Sequence, residues 1–505
     1  MGISPVAVAA AVAAAVAGVT VAVPPGDGAF GGLSVAPPDA HLVVRVRDGR
    51  SLRTDPALAP LEGALVELAG SRTLEEGWDR LAETLGLAPD VLLDRLFGAD
   101  AVYVERAATG AAAAEWAIVT RTDPAFHAEL VERLEPAAAA GGQAVLEAQR
   151  ATVAWRPPWL VIGPTGRTAL MSACVSLLER PDAEGSMLAL PAAAPLATQA
   201  PAPVEVAWLQ DASGAVGGFG VRMRPRGLTV AVRGAAGRWP LRVASGWPAD
   251  GTLAASLARG SILATSGSPW RGAPDASCPV DAILAEGGMD DAMWSNLGAR
   301  MALVVGERTL PESGIRVPTL GVAFEVRDPR LAERQWDGWA TRLSARVAAR
   351  AGLPAPPPPT RGARGAVRDI DLSPMLVAAF SDHPFARGTD LCMQSIEAAG
   401  AWWQLVATDC QTCARMAEAM RTAGGAASIA VADEVGELVG TTLAAHIASW
   451  QPAAAAFAPS SAEAFARGVA LAARLAESVD RVRWRIRAGA GGTIEGEVDI
   501  DLASP

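Results

Sequence analysis

Cys410-Gln411-Thr412-Cys413 places two thiols three positions apart. The spacing suits thiol–disulfide exchange if the pair opens a helix, because the free amides of a first turn favour thiolate. The surrounding context of an exchange enzyme is incomplete, since Asp409 rather than Trp precedes the pair and no Pro-containing partner loop stands out. Ala414 occupies the place where c-type haem attachment needs His, so that chemistry is excluded. Cys392 lies upstream, and an oxidising compartment would join it to Cys410 or Cys413. Cys392, Cys410 and Cys413 are therefore disulfide or redox candidates, with inert thiols and a metal site as the other readings. A zinc site would draw its further ligand from His383 or His446. Cys174 falls in an apolar helical stretch and reads as a small buried hydrophobe. Cys278, in the polar run Asp275-Ala-Ser-Cys278-Pro279, reads as a thiol with a distant partner.

Carboxylates recur where apolar runs end. Asp123, Asp328 and Asp409 each close a short strand-like segment and precede an amphipathic stretch, and Pro124 and Pro329 follow the first two. Asp at that place accepts the unpaired amides of a first helical turn, and Pro at the next position sacrifices no hydrogen bond. All three are expected to be helix N-caps, with no catalytic role. Asp382-His383 reads as a turn, and Gly163-Pro-Thr-Gly166-Arg167-Thr168 lacks the leading Gly spacing and the Lys of a phosphate loop. No nucleophile elbow, zincin motif, dinucleotide fingerprint or EF-hand loop occurs. No catalytic residue, metal or cofactor is expected.

The elements that carry these residues follow from periodicity. Strands are expected at Ala101 to Ala107 and Met301 to Glu307, and in the runs that lead from Trp116 to Asp123, from Val322 to Asp328 and from Trp403 to Asp409. Helices are expected at Ala125 to Leu134, Thr168 to Glu179, Leu331 to Val347 and Cys410 to Met420. The repeating unit is strand, Asp, helix, twice preceded by a further strand. Val216 to Arg224 and Leu228 to Gly234 flank the turn Pro225-Arg-Gly227. In the last hairpin Arg481, Arg483, Arg485 and Arg487 alternate with apolar residues, and Glu495, Glu497, Asp499 and Asp501 do so on the return arm. Pairing Arg485 with Glu495 and Arg483 with Glu497 would set the register and neutralise the carboxylates against metal binding. The tracts 191–203 and 354–359 are Pro-rich and are expected to be extended linkers. The result is an α+β fold of two or three lobes: 29–190, 204–353 and 365–505. Each is a mostly antiparallel sheet with helices on one face.

The whole-chain numbers agree with a folded protein. Of 505 residues 50% are hydrophobic and 19% charged, and the mean hydropathy is +0.23. A net charge of −11 argues against a duplex nucleic-acid binder, which needs a cationic footprint. Lys is absent and Trp outnumbers Phe, 15 to 9, so Arg and Trp take the cationic and aromatic anchoring roles.

Residues 6–23 are an uncharged Ala/Val run ended by Pro24-Pro25-Gly26, with small residues at Ala15 and Ala17. The segment 1–28 is read as a signal peptide or N-terminal anchor, although it holds no basic side chain and the first in the chain is Arg45. Pro37-Pro38-Asp39 before a strand at His41 to Arg45, the stretch ending Leu96-Phe97-Gly98-Ala-Asp100, the unit at Trp116 to Leu134, and Leu160-Val-Ile-Gly163 before a helix together carry a resemblance. Over its first half the chain resembles a family of functionally uncharacterised bacterial envelope proteins that share a domain of unknown function. Membership implies a secreted α+β protein and supplies no catalytic residues; the Cys-bearing third lobe departs from it.

The expectation is an exported, non-enzymatic envelope protein, periplasmic or extracellular, which binds or scaffolds an envelope protein or an apolar ligand. It would touch the membrane only through an uncleaved N-terminal segment. The alternative is a thiol–disulfide or metal-bearing domain built on Cys410 and Cys413.

Overall fold

The computed structural model describes residues 31–47, 82–107, 115–129, 143–179, 185–209, 216–235, 249–267, 288–310, 314–354, 368–371, 390–423, 429–451 and 462–503, apart from short breaks within these stretches. The segment 1–28, Asp123, Cys278 and Asp382-His383 lie outside the described residues. Two compact units emerge, one of residues 1–235 with 502–505 and one of 236–501.

Nine strands form the sheet of the first unit: β1 (Leu42–Arg47), β2 (Asp100–Arg106), β3 (Glu115–Arg121), β4 (Gln143–Leu146), β5 (Ala151–Arg156), β6 (Trp159–Pro164), β7 (Val204–Leu209), β8 (Val216–Arg224) and β9 (Gly227–Ala235). They pair antiparallel throughout, in the order β4-β5-β6-β3-β2-β1-β7-β8-β9. Its main helices are α1 (Pro89–Phe97) and α2 (Ala169–Glu179).

The second unit contains β10 (Ala249–Asp250), β11 (Leu263–Gly267), β12 (Leu297–Thr309), β13 (Arg316–Val326), β14 (Arg368–Asp371), β15 (Asp390–Ala398), β16 (Ala401–Ala407), β17 (Ile429–Ala430), β18 (Glu434–Val439), β19 (Val479–Ala488) and β20 (Thr493–Leu502). Its helices are α3 (Gly251–Ala258), α4 (Asp291–Asn296), α5 (Pro329–Arg350), α6 (Cys410–Thr422), α7 (Gly440–Ala448) and α8 (Ala462–Glu477). β10 and β17 pair only with each other in the described structure. The main sheet runs β14-β15-β16-β13-β12-β11-β18-β19-β20.

With β10 and β17 set aside, the two sheets have the same strand order, and the registers correspond as well. Val44 opposite Tyr103 matches Leu263 opposite Val305. Val119 opposite Val161 matches Gly321 opposite Ala407, and Ala154 opposite Val161 matches Cys392 opposite Ala407. Val206 opposite Val44 matches Leu438 opposite Leu263. The fold is thus one nine-stranded antiparallel topology used twice in tandem.

This differs from a division at the Pro-rich tracts. β7 follows the tract 191–203 yet pairs with β1, and β16 follows the tract 354–359 yet pairs with β13. Both tracts are connections within a sheet, because antiparallel pairing joins strands that are remote in sequence. The first is not extended either. Pro191–Ala193 is a 3-10 turn and Ala194–Ala197 a helical one, with Ala193 and Leu196 buried in the core.

Helices also cover both faces of each sheet, a correction to the single covered face. In the second unit Met301, Leu303, Val322 and Phe324 pack against α4 and α5. Ala302, Val304, Ala323 and Leu405 pack against α3 and α6. Successive strand residues point to opposite faces, and here both rows are apolar, so each row demands a cover. The first unit repeats this, with Val102, Val104 and Val119 against α2 and with Trp155, Leu160 and Ile162 against α1.

The last hairpin keeps its alternation but not its ion pairs. Arg485 meets Asp499 at 3.5 Å and Arg483 meets Asp501 at 2.6 Å. Each acid lies four positions further along β20 than expected. An even shift leaves the charged rows on the same face, which is why the pattern alone could not fix it.

Candidate functional site

The cysteines converge at the junction of β15, β16 and α6. β15 carries Cys392 in register with Ala407 of β16 on one side and Asp369 of β14 on the other. β16 ends at Ala407, and Asp409 in extended conformation starts α6 at the next residue, Cys410. The Asp409 carboxylate accepts from the Thr412 amide at 2.7 Å and from the Thr412 hydroxyl at 2.9 Å. Asp328 does the same for α5, accepting from the amides of Arg330 at 2.9 Å and Leu331 at 3.1 Å. These two carboxylates start helices on opposite faces of the sheet and share no site. Gly321 of β13 lets α6 lie close, since a β-carbon there would strike the Met416 sulfur.

Cys392 and Cys410 form a disulfide, with α-carbons 5.1 Å apart. Cys392 is fully buried and Cys410 half-buried. The bond ties strand to helix start rather than linking the two cysteines of the C-x-x-C pair. Cys413 remains a thiol in the core with Met416, Ala417 and Met420. Burial pushes its pKa up to about 12, and the Asp409 carboxylate adds to the rise. Burial likewise pushes the Cys174 thiol on α2 to about 12. A protonated, buried thiol is a poor nucleophile, and the sulfur of Cys392 is shielded from external attack, so the geometry disfavours rapid exchange.

The disulfide closes a segment with a sequence separation of 18. Chain entropy assigns such a loop about 3 kcal/mol. Cys410→Ser is expected to destabilise the second unit by that order; equal denaturant midpoints for variant and oxidised parent would refute it.

Asp390 completes the cluster. Its carboxylate and the sulfurs of Cys392 and Cys410 all lie within 4.8 Å of one another. Sequence reasoning missed Asp390, although an acid two residues before Cys392 in a strand must share its face. Arg308 feels the charges of Asp409 and Asp390, while its partial burial lowers its pKa. His446, one of the nitrogen donors considered for zinc, is engaged elsewhere, and His383 lies outside the described residues.

Other polar groups are satisfied by structure. His41 sets Nδ1 3.1 Å from the Glu105 carbonyl and Nε2 3.6 Å from its carboxylate, so both ring nitrogens face one residue. The Tyr103 hydroxyl donates to the same carboxylate at 2.7 Å. At the start of α2, the Leu170 amide donates to Glu115 at 3.1 Å, which fills the place a phosphate would need. Trp402 and Trp403 point to opposite faces of the sheet, and the Trp403 indole donates to the Ala398 carbonyl at 3.1 Å. Among the described residues the large apolar side chains left exposed are Val91 and Phe465, which form no aromatic platform.

His446 on α7 is buried, with Nδ1 3.4 Å from Glu307, which also accepts from Arg316 at 2.8 Å. Burial lowers its pKa below 6.5 and outweighs the pull of Glu307. The unfolded chain then takes the proton more readily, so the stability contributed by neutral His446 is lost as pH falls below about 6.5. His446→Gln is expected to flatten the unfolding midpoint as pH is lowered from neutrality; an unchanged slope would contradict this.

No known protein family, curated protein or solved structure matches the chain.

Proposed function

We propose that the protein is an exported, non-enzymatic component of the bacterial cell envelope that binds or scaffolds an envelope protein or an apolar ligand. The observation that carries this reading is the Cys392–Cys410 cystine, because such bonds persist in oxidising compartments and are rare in a reducing cytosol. The Ala/Val run of the N-terminal segment supports it from the sequence. So does the disposition of the reactive groups. Asp328 and Asp409 are spent on helix starts, Cys413 is a buried thiol, and both ring nitrogens of His41 are turned toward Glu105. The resemblance to uncharacterised envelope proteins belongs to the same reading. Fractionation of the native host, with mass spectrometry of the protein's N-terminal peptide and of its thiols under alkylation, tests it. An envelope fraction holding the Cys392–Cys410 peptide as a disulfide is expected. Recovery of the chain from the cytosol, still starting at Met1 and reduced, would overturn it.

A further inference from the structure

The geometry points to a redox-gated metal site: Asp390, Cys392 and Cys410 bind a soft divalent cation of the zinc class when the disulfide is reduced, and release it when the disulfide forms. Zinc bonds of about 2.0–2.3 Å in a tetrahedron place donors roughly 3.3–3.8 Å apart. The three donor atoms already lie within 4.8 Å of one another, so small side-chain rotations would suffice. Two thiolates with one carboxylate are a donor set that zinc accepts, with water in the fourth position. Half-buried Asp390 and Cys410 give the ion a way in, and fully buried Cys392 gives the site a floor. The first turn of α6 favours the Cys410 thiolate.

The repeated topology supplies an independent comparison. Corresponding registers place Asp390 and Cys392 where the first unit has Thr152 and Ala154, and the helix that follows the paired strand opens on Cys410 in the second unit and on Ala169 in the first. All three donors are therefore peculiar to one copy, and they occur together. An isolated cross-link would need only two of these replacements.

The chemistry balances with a dithiol as reductant. Its two thiols give up two electrons and two protons on closing to a disulfide, and the Cys392–Cys410 bond takes them up on opening to two thiols; a small-molecule disulfide run through the same exchange in reverse is the oxidant that re-forms the bond and expels the ion. On binding, each thiol gives a proton to water and a sulfur lone pair to the metal. Arg308, drawn to Asp390 and Asp409, is the cation that the metal would displace from this carboxylate. Cys413 faces the core and takes no part.

The full-length protein, oxidised or reduced with a non-chelating phosphine, would be titrated with Co2+ and then Zn2+. The expected result is a thiolate-to-cobalt charge-transfer band with one equivalent bound by the reduced form, lost on reoxidation or on Zn2+ addition. The band should persist in Cys413→Ala and vanish in the Cys392→Ser/Cys410→Ser pair. Asp390→Asn should weaken binding about tenfold or more, the scale of one lost interaction of roughly 1.4 kcal/mol. The parent protein alone decides the matter if the variants fail to fold. Absence of the band in reduced protein would overturn the proposal, as would the same band in the oxidised form or in the double serine variant.

Discussion

Arg45→Ala is expected to destabilise the first unit by about 3–5 kcal/mol, the cost of leaving buried acids without their cation. Arg45 sits in the middle of β1 with a side chain only 7% exposed. Its guanidinium donates to Asp100 through Nε at 2.9 Å and Nη2 at 2.6 Å, and Nη1 lies 4.0 Å from Glu205. Glu205 is directly opposite on β7 and is the more deeply buried acid, at 1%. Arg47 still reaches Glu205 at 3.3 Å, so Asp100 bears most of the loss. Arg45→Lys should recover little, since an ammonium cannot match the two-pronged contact. Replacing Arg45 by Met and Asp100 by Leu together should recover more, because no charge is then stranded. Chemical denaturation of the four proteins checks this. A double variant no more stable than Arg45→Ala would mean that packing, and not the stranded acid, sets the cost.

Trp336→Ala is expected to cost a similar amount in the second unit, about 3–5 kcal/mol. Trp336 is 2% exposed on α5 and stacks on Phe324 of β13, with ring centres 5.4 Å apart. Trp339 meets it edge-on at 5.1 Å. The three rings anchor the long helix to the sheet, and alanine would leave a void that neither neighbour can fill. Trp336→Phe should lose much less. Differential scanning calorimetry of both variants is the check, and a loss under about 1 kcal/mol for alanine would show that the helix settles into the gap.

The sequence made individual elements plain and their assembly obscure. Val216–Arg224 was legible end to end because apolar alternation is bounded by a Pro-Arg-Gly turn, and α6 began where Asp409 said it would. The strand–Asp–helix units at 301–347 and 403–420 were visible as repeats, but their hierarchy was not. The units beginning at Ala101 and Met301 occupy the same place in successive sheets, whereas the one at Trp403 corresponds to the strand at Trp159. Period and propensity describe a strand and its neighbours along the chain. They do not say that β13 will pair with β16 some eighty residues on. The cystine partner was left open between Cys410 and Cys413 for the same reason. Cys410 and Cys413 share one face of the helix about a turn apart, and only the packed helix reveals which of them stands beside Cys392. Arg45 in the run Leu-Val-Val-Arg-Val-Arg was read as a strand residue without its acids, which come from 55 and 160 positions away.

Because the same architecture occurs twice and only one copy is stapled by sulfur, the first unit is a built-in control for the second. The first unit has Ala154 in its strand and Ala169 at its helix start, with no sulfur at either place, so the staple is an embellishment of a topology that stands without it. Breaking it should leave the strand order of the second copy intact while loosening one helix start and lowering that unit's stability, which makes this corner a place where the chemical surroundings can adjust the fold.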